Sequence, residues 1–116
     1  MKKVVLCITV CFLIAVYSIA YAHPPSDIII TFYPASKILK VVIMHNVSDP
    51  ESHFIMKVDI ALNGKQIIEQ EISRQDTNSS QTLSYLIPDA KLGDTISVEA
   101  YCSISGALEK ETKARF

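Results

Sequence analysis

The sequence predicts an all-β protein: an immunoglobulin-like antiparallel β-sandwich of about seven strands following an N-terminal signal helix. Three observations lead to this fold class. Apolar and polar residues alternate with period two in several short runs. Turn-forming clusters separate those runs every eight to twelve residues or so. Beyond the N-terminal segment, no stretch sustains a helical period.

The elements follow in order. Residues 1–22 have the three parts of a secretory signal: basic Lys2 and Lys3, an apolar run from Val4 to Ala20, and the small-x-small site Ala20-Tyr21-Ala22. Pro24 and Pro25 come directly after that site, which suits a peptidase better than a continuing helix. The alternative is an uncleaved membrane anchor, although the apolar run falls short of the roughly 20 residues that cross a bilayer. Cleavage would leave a domain spanning 23–116 that starts at His23.

DIIITFYP (27–34) is β-branched and aromatic and stops at a proline, as a strand does. KILKVVIMH (37–45) runs from an apolar centre into His45. In 53–73, Phe54, Met56, Val58 and Ile60 alternate with Ile55, Lys57, Asp59 and Ala61. Asn63-Gly64 then supplies a type I′ turn into KQIIEQEIS, giving a β-hairpin. RQDTNSSQ (74–81) is a polar loop, TLSYLIP (82–88) alternates again, and DAKLGD (89–94) turns the chain. TISVEAYCSIS (95–105) is a further strand that ends near Cys102. ALEKETKARF is expected to be the last strand, although propensity alone would also allow a short helix over GALEKETKA.

Removing the signal changes the inventory. Cys7 and Cys11 leave with it, so the exported chain keeps one cysteine and can form no internal disulfide. Of the 116 residues, 94 remain. The signal takes two of the eleven basic residues and none of the twelve acidic ones, so the formal charge becomes −3. An acidic balance argues against nucleic acid or an anionic membrane surface as partner. Membrane contact is expected only through an uncleaved signal. The chain is expected to be exported, either periplasmic or secreted. Asn46 and Asn78 head Asn-x-Ser sites, which matter only in a eukaryotic route, whereas the short Lys-Lys signal has a bacterial character.

Catalytic patterns are sparse. No serine lies in a nucleophile-elbow context, and three glycines leave little room for a phosphate loop. What stands out is a donor set. MHNVSDPESHF (44–54) brackets a polar loop with His45 and His53, each where a strand ends or begins, so both rings can point into one end of the sandwich. Cys102 packs as a small apolar group in most settings, but a free thiol in an oxidising compartment is vulnerable unless it is shielded or metal-bound. His23 would offer an imidazole and, as the N-terminus, an α-amino nitrogen. The candidate metal ligands are therefore His23, His45, His53 and Cys102. The competing reading makes the histidines strand-end residues bonded to backbone, His23 part of a loose terminus, and Cys102 core.

HNVSDPESHFIMKVDIALNG and VEAYCSISG together resemble the ferrous-iron domain of the superoxide reductases (neelaredoxin and desulfoferrodoxin). In that resemblance His45 and His53 match the family's two loop histidines, with Phe54-Ile55 after the second. Cys102 matches the axial cysteine, Gly106 the glycine that follows it, and His23 the histidine near the N-terminus. The resemblance implies a mononuclear non-haem iron with equatorial imidazoles and an axial thiolate, open to superoxide at its remaining position. It also implies a small redox partner that supplies electrons. Ser105 stands where the family has its fourth histidine and Ser103 where it has asparagine. The α-amino group of His23 is the candidate substitute for the missing imidazole. Two other readings remain: a copper-binding protein built on an N-terminal histidine brace at His23, and a metal-free β-sandwich binding module.

Overall fold

The structure is a computed structural model and describes residues 23–115. The signal segment expected over 1–22 lies outside the described residues. Among the described residues no helix is long and apolar enough to cross a membrane.

Seven strands form: β1 (Asp27–Tyr33), β2 (Ile38–Met44), β3 (Ile55–Leu62), β4 (Lys65–Glu71), β5 (Ser80–Leu86), β6 (Thr95–Cys102) and β7 (Ala107–Lys113). Every pairing is antiparallel, in two sheets of order β1-β2-β5 and β4-β3-β6-β7. This is an immunoglobulin-like sandwich whose fourth strand stays beside β3. In the constant-type arrangement the fourth strand crosses to the other sheet. The Asn63-Gly64 turn explains the difference. Both residues have positive φ, 51° and 83°, as a type I′ turn requires, and the two-residue connection leaves β4 no length in which to cross.

The segment with competing helical propensity is β7. Pairing with β6 decides it, because Leu108 packs against the core while Glu109 and Glu111 face out. A pattern of period two fits that partition and one of period 3.6 does not. Helical propensity, a few tenths of a kcal/mol per residue, is outweighed by burial plus a full ladder of hydrogen bonds.

The core lies between the sheets. Leu39, Val41 and Ile43 of β2 meet Val58 and Ile60 of β3 and Ile96, Val98 and Ala100 of β6, all fully or almost fully buried. Side chains two apart on a strand share a face, so the inward series of β2 runs on to His45 and that of β6 ends on Cys102. Both donors therefore cap the apolar core at one end of the sandwich.

Strand β3 departs from the strict alternation expected of it. Ile55 pairs with Cys102 and Lys57 with Tyr101, which leaves Met56 as the extra residue of a β-bulge. Inward parity consequently flips. Ile55 is fully buried, while Met56, expected on the face of Val58 and Ile60, is 42% exposed. Bulges of this kind re-aim side chains next to sites.

Candidate metal site

Four chain segments converge at the end of the core. His45 arrives as the continuation of β2. His53 lies two residues before Ile55 and shares its inward parity, so the Met56 bulge turns its ring toward the interior. The loop between the two histidines is folded on Asp49. The main-chain N–H groups of Ser52 and His53 donate to Asp49 O (3.2 and 2.9 Å), and that of Glu51 donates to Asp49 Oδ1 (3.0 Å). Polar residues at this spacing cap a tight turn.

His23 is delivered by a short N-terminal strap. Ser26 N donates to Met44 O at 2.8 Å, continuing the β1–β2 ladder toward the terminus. Pro24 lies against Gly106, where a Cβ would meet Pro24 Cβ and N at 3.0 Å. Gly106 also has φ +87°, a conformation that disfavours side chains. Its carbonyl accepts from Cys102 N (3.0 Å), so one glycine shapes the turn after the cysteine and the seat of the strap.

The three imidazoles form a triangle. Ring centroids are 4.8 Å apart for His23–His45, 5.0 Å for His23–His53 and 4.8 Å for His45–His53. One ligand nitrogen from each lies within 4.8 Å of the others, and the three could hold a metal ion. His45 is fully buried, and His23 and His53 are half-buried, so solvent reaches the group past two of the rings. Cys102 Sγ lies 3.1 Å from His53 Nε2 and accepts from the main-chain N–H of Ile104 (3.5 Å).

These distances suit one ion. Two nitrogens bound at about 2.0–2.1 Å stand at most about 4.2 Å apart, so a pair at the 4.8 Å limit must close by at least about 0.6 Å, and by more where the two are neighbouring ligands. Cys102 adds a sulfur beside this group, in hydrogen-bond contact with His53 Nε2 at 3.1 Å. Burial holds the His53 imidazole below its ordinary pKa, and the neighbouring His45 and His23 add to the shift. A neutral imidazole is the form that binds a metal.

Beneath His45 sits Gln75, from the loop joining β4 to β5 and itself buried. His45 Nδ1 donates to Gln75 Oε1 at 2.9 Å. A metal-ligating histidine is commonly held in this way through its other ring nitrogen. His23 shows a looser version, with Nδ1 3.1 Å from Pro24 O.

The structure brings together His23, His45 and His53, with Cys102 against the third ring. Ser105 is exposed on the turn after Cys102. Sequence reasoning missed Gln75, the Met56 bulge and the Pro24–Gly106 seat. Gln75 has no periodic signature in a polar loop, and only Gly106, as a lone glycine after a strand, carried a local signal. Compared with protein-family models, curated proteins and solved structures, the chain gives no match in any of the three.

Proposed function

We propose that the protein is an exported mononuclear metal-binding protein of superoxide reductase type, with His23, His45, His53 and Cys102 as ligands to one non-haem iron. A single observation carries this reading: three imidazoles converge within 4.8 Å at the end of the core, with a thiol 3.1 Å from one of them. Imidazole and thiolate together form a donor set that iron accepts. Iron bound there would exchange one electron with superoxide, and a thiolate ligand would raise the electron density at the metal. The chain's own contribution is to hold the donors, keep the thiol out of bulk solvent and leave an approach past His23 and His53. A small redox partner supplies the electron.

Copper in an N-terminal histidine brace is the alternative. A brace chelates through the α-amino nitrogen and Nδ1 of the same histidine, and His23 Nδ1 is turned to Pro24 O.

The deciding experiment is metal analysis and visible absorption of protein purified from the periplasm and loaded with iron. One iron per chain and a thiolate-to-iron charge-transfer band in the oxidised form are expected, with the band absent in Cys102→Ser. An iron-loaded, oxidised wild type without that band would overturn the iron–thiolate reading.

A further inference from the structure

His45 and Gln75 are in contact at two points. Gln75 Nε2 donates to His45 O (2.7 Å) and to Thr77 O (2.9 Å), while Gln75 Oε1 accepts from the His45 ring at Nδ1 (2.9 Å). The glutamine's own N–H donates to Pro50 O (3.0 Å), tying the β4–β5 loop to the loop between His45 and His53. Gln75 is 3% exposed and His45 0%, so water cannot substitute for any of these bonds.

The amide can take one orientation only. Reversed, its oxygen would face two carbonyl oxygens at 2.7 and 2.9 Å and leave buried acceptors unpaired. As placed, all three contacts are good hydrogen bonds. The orientation then dictates the ring. Oε1 is an acceptor, so Nδ1 carries the proton, and a neutral imidazole with Nδ1–H has a lone pair on Nε2. That lone pair faces His23 O at 3.3 Å. The other two imidazoles lie on the same side.

We propose that Gln75 is a positioning residue that selects the nitrogen through which His45 acts, locking the Nδ1–H tautomer so that Nε2 faces the histidine cluster as a lone pair. The purpose of this lock rests on the metal-binding reading above, but the lock itself does not. Without it the ring exchanges tautomers, and the Nε2–H form donates to His23 O and withdraws its lone pair from the cluster. A ligand imidazole that must first change tautomer binds more weakly. Removing the partner of a ligating histidine typically costs about 10–100-fold in metal affinity.

The test reads the tautomer directly. Two-bond proton–nitrogen correlation spectra of the metal-free, uniformly nitrogen-15-labelled protein are recorded at a pH where its imidazoles are neutral. His45 is expected as Nδ1–H in the wild type and shifted toward Nε2–H in Gln75→Met. A wild-type His45 protonated on Nε2, or a Gln75→Met variant that stays Nδ1–H, overturns the proposal. Should Gln75→Met not fold, the wild-type spectrum decides alone. Titration with Co2+ as probe then separates the two claims. A drop of about 10–100-fold in affinity for Gln75→Met, with an unchanged backbone amide spectrum, supports the positioning role. An equal affinity overturns it as a determinant of metal binding. Absence of Co2+ binding by the wild type overturns the metal reading while leaving the tautomer result intact.

Discussion

His53 and Gly106 are the two residues at which local physics is most exposed to test. Burial, with a smaller push from His45 and His23, holds His53 below its ordinary pKa of 6.5. Between the folded and unfolded values the unfolded chain binds more protons, so stability rises with pH across that window. The contribution is complete above about 6.5 and is lost as pH falls through the lowered folded value. Urea midpoints of the metal-free protein should therefore drop between pH 8 and pH 5, and His53→Gln should flatten the drop. At Gly106, an added methyl would meet Pro24 at 3.0 Å from a φ of +87°. Gly106→Ala should cost on the order of 1–3 kcal/mol and loosen the seat of His23. It is expected to weaken metal binding although it removes no ligand, and calorimetric titration with Co2+ checks this.

Among the elements, β3 carries the decisive irregularity. With strict alternation, Val58 and Ile60 facing in would place His53 facing out. The extra residue at Met56 reverses the parity for Ile55 and His53. Deleting Met56 should restore the alternation, keep the two-sheet fold and abolish the three-histidine triangle, seen as loss of Co2+ binding with a retained β-sheet circular dichroism spectrum. The hydrophobic series behind the site is conventional by comparison. Ile60 is fully buried at the centre of β3, and Ile60→Ala should destabilise the fold by about 2–5 kcal/mol, measured by denaturant unfolding.

For the whole molecule, the field matters to what can approach. Asp59 pairs with both Glu69 and Glu99, and Glu99 with Glu109, so a row of carboxylates crosses the outer face of the four-stranded sheet. Lys57 meets two of them, at 3.6 Å from Asp59 and 3.5 Å from Glu69. Like charges directly opposite are destabilising on a sheet, and here they also repel anions. Asp49 and Glu51 sit in the loop that leads to His53. If superoxide is the substrate, its bimolecular rate constant should rise with ionic strength, the reverse of a positively steered enzyme. Stopped-flow or pulse-radiolysis rates at low and high salt decide the sign. A tight native-state ligand also raises stability by mass action, by about 2.7 kcal/mol at a hundred times its Kd. If the site binds a metal as proposed, the metal should raise the Tm, and a chelator should reverse the rise.

The sequence by itself determined the seven strands and the Asn63-Gly64 hairpin, because alternation and turn chemistry are local and appear in consecutive residues. It also placed His45 and Cys102 at the ends of inward-facing series, where period two extends from the core. Only the tertiary structure decided which sheet β4 joins and that the Met56 bulge turns His53 inward. It alone brought Gln75 beneath His45 and Pro24 onto Gly106, residues 30 and 82 positions apart in the chain. Those outcomes depend on pairing register and on contacts between loops, which arise when distant segments compete for the same buried volume and hydrogen-bond partners.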